Sequence, residues 1–484
     1  MSSYKPYEKY KDSGIAWLRN IPEHWQVISL KNILKERNEK NDPIRSTDRL
    51  SLSIDKGVTL YSEKTTNLDR FKDDFTQYKL AQEGDLVFNS MNMIVGAVGV
   101  SAYFGCVSPV YYTYYSNPNH PHTTKFYEYL YRCRIVQGFL YSLGKGLIAI
   151  DRGEGKYNTL RLKVSRDDLR SMRLLCPPYS EQTAIVRFLD YKTGQIDRFV
   201  RKKKQLIKLL NEQKVAIINH AVTKGINPDA PMKDSGIEWL GEIPKHWKTV
   251  KLAGVCNFVR GNSSFKKDEL LSNGKYVALQ YGKTYKVDVI DDKYQFYVND
   301  EFYKDTQTVH YGDVIIISTS ETIEDLGHSV VYNRRDLGLL GGEQVLLKPY
   351  GKVLSGKYLC NLSKAFATEL RKNGTGVKVY RFNINDLKTV YVAIPTIDEQ
   401  QQIVSYIEQE TNIINTTISK IEQELALVEE YRTALITEAV TGKIDVREYK
   451  IPETLKEEET YEDIEEEISI AAEDEAEYET QENG

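Results

Sequence analysis

Apolar residues recur along two stretches of the chain at the spacing of a helix seam. The series Ile185, Leu189, Lys192, Ile196, Phe199, Lys203, Leu206, Leu210, Gln213, Ile217 advances by alternating steps of four and three. A second series lies 218 residues on: Ile403, Ile407, Glu410, Ile414, Thr417, Ile421, Glu424, Val428, Tyr431, Leu435. Polar residues interrupt both seams, yet the period predicts two long helices that pack on each other as an antiparallel coiled coil. As one helix, residues 181–219 would span roughly 58 Å at about 1.5 Å per residue. Each stretch opens alike, with prolines and then a capping Ser180 or Asp398 ahead of Glu181-Gln182 or Glu399-Gln400. Each also closes alike, in His220-Ala-Val-Thr223 or Glu438-Ala-Val-Thr441.

Between these stretches the pattern changes to short apolar runs bounded by Gly, Asn and Asp. Asp85-Leu-Val-Phe88, Val110-Tyr-Tyr-Thr-Tyr-Tyr115, Asp313-Val-Ile-Ile-Ile-Ser318 and Glu343-Gln-Val-Leu-Leu347 predict strands. The chain therefore divides into a mixed block at 11–178, a helical segment at 179–225, a second mixed block at 232–395 and a second helical segment at 396–446. An acidic tail, 447–484, follows.

The two halves repeat each other. Lys11-Asp-Ser-Gly-Ile-Ala-Trp-Leu-Arg-Asn-Ile-Pro-Glu-His-Trp25 returns at Lys233–Trp247 with four differences in fifteen positions. Trp17, Pro22 and Trp25, with Trp239, Pro244 and Trp247, are expected to be structural because they recur unchanged. Gln82-Glu-Gly-Asp-Leu-Val and His310-Tyr-Gly-Asp-Val-Ile both place Gly-Asp before an apolar run. The loops after those runs diverge, with one serine in common: Asn89-Ser-Met-Asn-Met93 stands against Thr319-Ser-Glu-Thr-Ile323.

Charge alters this picture in one respect. The net charge of −4 averages two unlike parts. Residues 451–484 hold fifteen acids and one lysine of the 69 and 65 in the chain, which leaves 64 bases against 54 acids in residues 1–450. A basic body suits a polyanionic partner. The tail has few aromatics and is expected to be disordered. Five scattered cysteines without a C-x-x-C pair fit a reduced, cytoplasmic chain. No apolar run is long enough for a membrane span, so no membrane partner is expected.

Catalytic signatures are missing. Gly282-Lys-Thr284 lacks the upstream glycine of a phosphate loop, Gly374-Thr-Gly376 is a bare turn, and His120 and His122 lack clustered co-ligands. Asp151-Arg-Gly-Glu-Gly-Lys156 carries the Glu154/Lys156 half of a metal-nuclease signature, but glycines flank the glutamate and break the strand that chemistry requires. It reads as a basic loop, as does Gly376-Val-Lys-Val-Tyr-Arg381.

The W-L-x-x-I-P-x-H-W motif, the Gly-Asp strand entry and the Glu-Gln helix ending in Ala-Val-Thr occur in order in both halves. Together they resemble the specificity (S) subunit of type I restriction-modification systems, over about residues 11–447. The resemblance implies an α+β fold: two pseudo-repeated α/β target-recognition domains separated by two long helices packed as an antiparallel coiled coil. Each domain would read one half of a bipartite, asymmetric site on double-stranded DNA. The helices would fix the gap and dock two methyltransferase (M) subunits and the restriction (R) subunits. The chain itself would be non-catalytic and bind no cofactor, with S-adenosylmethionine, ATP and Mg expected on its partners.

Base readout calls for polar or basic side chains on loops that face a groove. In the first block the candidates are Asn89, Met91, Asn92, Lys145, Arg152, Lys156 and Tyr157. In the second they are Arg260, Ser263, Ser264, Lys266, Thr319, Ser320, Lys378, Tyr380 and Arg381. The competing reading is a non-catalytic helical scaffold whose globular ends bind proteins.

Overall fold

A computed structural model describes residues 4–15, 17–63, 74–146, 162–376 and 379–452. The chain forms two compact units, one of residues 1–201 with 424–484, the other of residues 202–423. Two long helices, Tyr179–Lys224 and Ile397–Val440, each contribute to both units. The acidic tail beyond Pro452, the Asp151–Lys156 run with Arg152, Glu154 and Lys156, and also Tyr157 and Lys378, lie outside the described residues.

The first unit is built on an antiparallel sheet in the order Leu34–Arg37, Tyr111–Ser116, Leu86–Asn89, Val98–Val100. Strand alternation explains its continuous apolar centre. Leu86 and Phe88 face a core with Phe126, Tyr127, Leu130 and Tyr131 of helix Thr124–Arg132, while Val87 faces a second cluster with Leu50, Leu52 and Val58. Phe88 meets Tyr131 edge-on at 4.8 Å.

The second unit has a five-stranded sheet in the order Cys256–Arg260, Gln344–Pro349, Val314–Ile317, Ser329–Tyr332, Val289–Ile290. Val314 and Ile316 pack towards Tyr358, Leu362 and Phe366 of helix Gly356–Lys372, and Ile315 packs on the opposite face. A further four-stranded sheet, Tyr297–Val298, Tyr276–Leu279, Gly338–Leu340, Thr308–Val309, belongs to this unit.

In each unit the repeated tryptophan motif lies where one long helix starts and the other ends. Trp25 and Trp247 are fully buried. In the first unit Glu181, at the start of the first helix, accepts a hydrogen bond from the Tyr7 hydroxyl and pairs with His24 at 2.8 Å. Gly442, just past the second helix, lies against Pro22 and Trp25, and a Cβ there would stand 2.5 Å from Pro22 Cδ. In the second unit Glu399 accepts from Trp247 Nε1 at 2.9 Å and pairs with His246 at 2.9 Å, and Gly225 closes on Trp247 and Pro244. Both glycines have the positive φ that suits a helix C-cap, 72° and 77°.

The neighbouring glutamine fastens each helix start to its sheet. Gln182 donates to Pro177 O and accepts from Thr123 N, ahead of helix Thr124–Arg132. Gln400 donates to Pro395 O and accepts from Ser355 N, the cap of helix Gly356–Lys372. Both glutamines are fully buried with these bonds made, so the pair of residues is a structural latch.

Most positions of the expected seam are covered in each long helix, but some give way to the residue next to them. Leu206 and Gln213 are exposed, while Ile207 and Lys214 are partly covered. Thr417, Glu424 and Tyr431 are exposed, while Ile418, Leu425 and Arg432 are partly covered. The inward series is therefore Ile414, Ile418, Ile421, Leu425, Val428, Arg432, Leu435, a step of four before each step of three. A seven-residue period fits both phases, and burial decides between them. The corrected seam of the second helix is more apolar, with isoleucine and leucine in place of Thr417 and Glu424. Asp197 joins Arg432 at 2.6 Å in the first unit, and Lys214 reaches Asn415 at 3.2 Å in the second.

Candidate nucleic-acid interface

The Gly-Asp entry makes the same turn in both units, and that turn aims the loop behind the strand. Gly84 and Gly312 take φ of 83° and 85°, which glycine adopts without strain. Asp85 accepts from Gln82 N at 2.8 Å and Asp313 from His310 N at 2.9 Å. Burial raises both carboxyls above the usual aspartate range, and these amide bonds oppose it. Only Asp85 also has an arginine against it, Arg37 at 2.6 Å, which itself stacks on Tyr115.

At the far end of this strand in the first unit, Asn89 is half-buried. Its side-chain oxygen accepts from Met91 N at 3.1 Å. Asn92 is exposed and makes no side-chain cap bond at the turn Met93–Val95. Ser90 O accepts from Val164 N at 3.1 Å, next to the pairing of Leu162–Lys163 with Lys145–Gly146. The structure thus brings Asn89, Met91, Asn92 and Lys145 to one neighbourhood. Lys145 is 77% exposed, with a loose 3.4 Å contact to Asp168. Tyr141, on the adjoining helix end, is 64% exposed.

The corresponding corner of the second unit is more constrained. Thr319 and Ser320 are 8% and 3% exposed, because they pair as a strand with Tyr380–Arg381. Ser263 is also buried, at 4%. These three side chains, expected on open loops, are interior and act as support. Arg260, Ser264, Lys266 and Arg381 are exposed.

A cavity of about 360 Å³ joins three of these candidates, Arg260, Ser263 and Ser264, with Gln280, Tyr281 and Glu343. Glu343 links the cavity to the Thr319–Arg381 strand pair. It accepts from Thr319 Oγ1 at 2.5 Å and lies 3.9 Å from Arg381. Burial, with the nearby carboxylates of Glu321, Asp325 and Glu343, raises the Tyr281 hydroxyl above its usual range.

Lys266 stands apart from the strand pair, its backbone held by Glu269 at 2.7 Å. Sequence reasoning missed Gln280, Tyr281 and Glu343. It assigned Glu343 to the strand, whereas the strand begins at Gln344. The glycine pair Gly341-Gly342 was the available sign of a turn there. Among the described residues, no cluster of three or more histidine, cysteine, aspartate or glutamate side chains could hold a metal ion. No helix among them is long and apolar enough to cross a membrane.

Residues 244–426 match the family model of the type I restriction modification DNA specificity domain. The chain is 22% identical to a type I restriction enzyme MjaX specificity subunit of Methanocaldococcus jannaschii, over 91% of this chain and 97% of that one. It is 20% identical to the StySPI specificity subunit of Salmonella potsdam, over 42% of this chain and 44% of the other. Its fold resembles a chain solved in work on complex assembly and conformational transition of the type I R-M system. There the TM-score is 0.64 at 16% identity, covering 88% of this chain and 99% of that one.

Proposed function

Starting from a chain that is a relative of type I restriction-modification specificity subunits, we propose that it reads a bipartite, asymmetric DNA site, one half with each unit. The observation that carries this reading is a shared frame with unlike corners. The histidine of the tryptophan motif on its glutamate, the glutamine latch and the Gly-Asp turn make the same bonds in both units. The residues that follow the Gly-Asp strand, 89–93 and 319–323, differ at four of five positions.

The long helices are the ruler. Packed as an antiparallel coiled coil, they set the gap between the half-sites and offer docking faces for two methyltransferase subunits and the restriction subunits. The chain supplies no catalytic group and no cofactor site of its own. Partner subunits carry S-adenosylmethionine, ATP and Mg and perform the chemistry, including extrusion of the target base.

Deleting the gene from a host with intact modification partners should abolish adenine methylation at one split motif. An unchanged methylome would refute the reading. Inserting four residues at matching points in both helices adds about one turn, roughly 6 Å. The recognised gap should then grow by one or two base pairs at roughly 3.4 Å each. A scaffold protein would instead show no sequence-selective DNA binding, whereas phosphate contacts demand a steep fall of DNA affinity with salt.

A further inference from the structure

We propose that Glu343 is a specificity-determining residue of the second unit and reads the exocyclic amine of a cytosine. This rests on the reading that the second unit meets DNA at this corner. Glu343 is the one non-glycine among the described residues with a positive φ, at 61°. Such a conformation is costly for a side chain with a Cβ and persists where the surroundings enforce it. Here the enforcement is visible. The residue lies between Gly342 and the ladder of strand Gln344–Pro349, and its carbonyl accepts from Ser318 N at 3.2 Å. Its carboxylate is fixed by the Thr319 hydroxyl at 2.5 Å, with Arg381 at 3.9 Å, yet the side chain stays 51% exposed. Behind it, Ser263 Oγ and Gln344 Oε1 are buried without a hydrogen-bond partner.

A fixed, half-exposed carboxylate on a face that meets phosphates is repelled by them, so it serves DNA only by accepting from a base edge. In the major groove two bases offer an amine, cytosine at N4 and adenine at N6. Adenine places the acceptor N7 beside its amine, and a carboxylate is itself acceptor-only, so adenine opposes it. Cytosine has no acceptor on that side. The guanine paired with it presents O6 and N7, the acceptors that an arginine fork fits, and Arg260 and Arg381 are the exposed arginines of this corner.

The test uses the full chain assembled with its modification subunits, a randomised duplex library, and sequencing of the bound fraction. Wild type should select a C·G pair at one position of the half-site that responds to second-unit substitutions. Glu343→Gln should lower that preference about tenfold or more and admit adenine, because an amide can both donate to N7 and accept from N6. The half-site read by the first unit should stay unchanged. Glu343→Gly removes the carboxylate while keeping the positive φ at no cost, so it separates reading from folding. It should leave the position degenerate with the melting temperature retained. Selection by either variant identical to wild type would overturn the proposal, as would a uniform loss of affinity at all sequences. A wild-type complex that selects no sequence would instead bring down the functional reading itself, and this proposal with it.

Discussion

The two units solve one packing problem with different partners. In the first, the tryptophan motif meets a deeply buried glutamate, Glu181, whose side chain is 3% exposed and is shared by Tyr7 and His24. In the second, Glu399 is 23% exposed and is shared by Trp247 Nε1 and His246. Tyr7 thus takes in one unit the place that an indole nitrogen takes in the other, and Trp25 Nε1 is left buried without a partner. Burial, with the Glu181 carboxylate beside it, pushes the Tyr7 hydroxyl far above the ordinary range. The lesson is that the bond is kept while its donor is exchanged. A frame of this kind tolerates drift in its details because several donors can satisfy one carboxylate.

The same comparison separates frame from reader. Before strand Tyr111–Ser116 stands Val110, an apolar residue 39% exposed; before strand Gln344–Pro349 stands the strained Glu343. After the Gly-Asp strand, the first unit presents the exposed Asn92, whereas the second folds Thr319 and Ser320 inward behind Glu343 and Arg381. One corner is an open turn and the other a braced cavity.

The comparison can be broken most forcefully at the tryptophans. Trp25→Ala and Trp247→Ala should each cost about 3–5 kcal/mol, since each removes a fully buried indole. Chemical denaturation of both variants reads this, and limited proteolysis should place the damage in the unit carrying the change. Damage of equal size in both units from either variant would mean that the cores are not independent.

The closing glycines give a sharper contrast. A Cβ on Gly442 would stand 2.5 Å from Pro22 Cδ, whereas one on Gly225 would keep a distance of 3.4 Å from Trp247. Both also carry a positive φ. Gly442→Ala should therefore cost about 2–3 kcal/mol, strain and overpacking together, against about 1 kcal/mol for Gly225→Ala. Thermal unfolding of the two variants measures the gap, and equal shifts would count against the tighter seat of Gly442.

Next come the glutamates. Glu181→Gln weakens two bonds to a buried charge and should cost about 1–3 kcal/mol; Glu399→Gln, at a wetter site, should cost about 1 kcal/mol or less. The smallest effect concerns the helix phase. Ile418→Ala should lower stability by about 1 kcal/mol, while Thr417→Ala stays within about 0.5 kcal/mol. The reverse order would restore the phase suggested by the sequence.

Much of the frame was legible because it rests on residues with one physical use. Trp25 and Trp247 are too large to repeat by accident, and Gly84 and Gly312 mark positive φ directly. The helix phase was not legible, because Ile413, Ile414, Ile418 and the polar residues between them satisfy two registers equally. Only burial against the neighbouring elements separates them. The corner residues were the least legible. Thr319 and Ser320 look like loop residues by composition, yet a long-range pairing with Tyr380–Arg381, sixty residues away, turns them inward. Glu343 was invisible for the converse reason, since an apolar run after it reads as strand and hides the turn.

The central claim is that one frame carries two independent readers. It is tested most directly by sequencing the duplexes selected by the assembled complex carrying Asn92→Ala, and then Arg381→Ala. The account predicts that each change relaxes selection within one half-site only, a different half for each, with the gap between halves unchanged. Relaxation of both halves by either change, or of the same half by both, would contradict it.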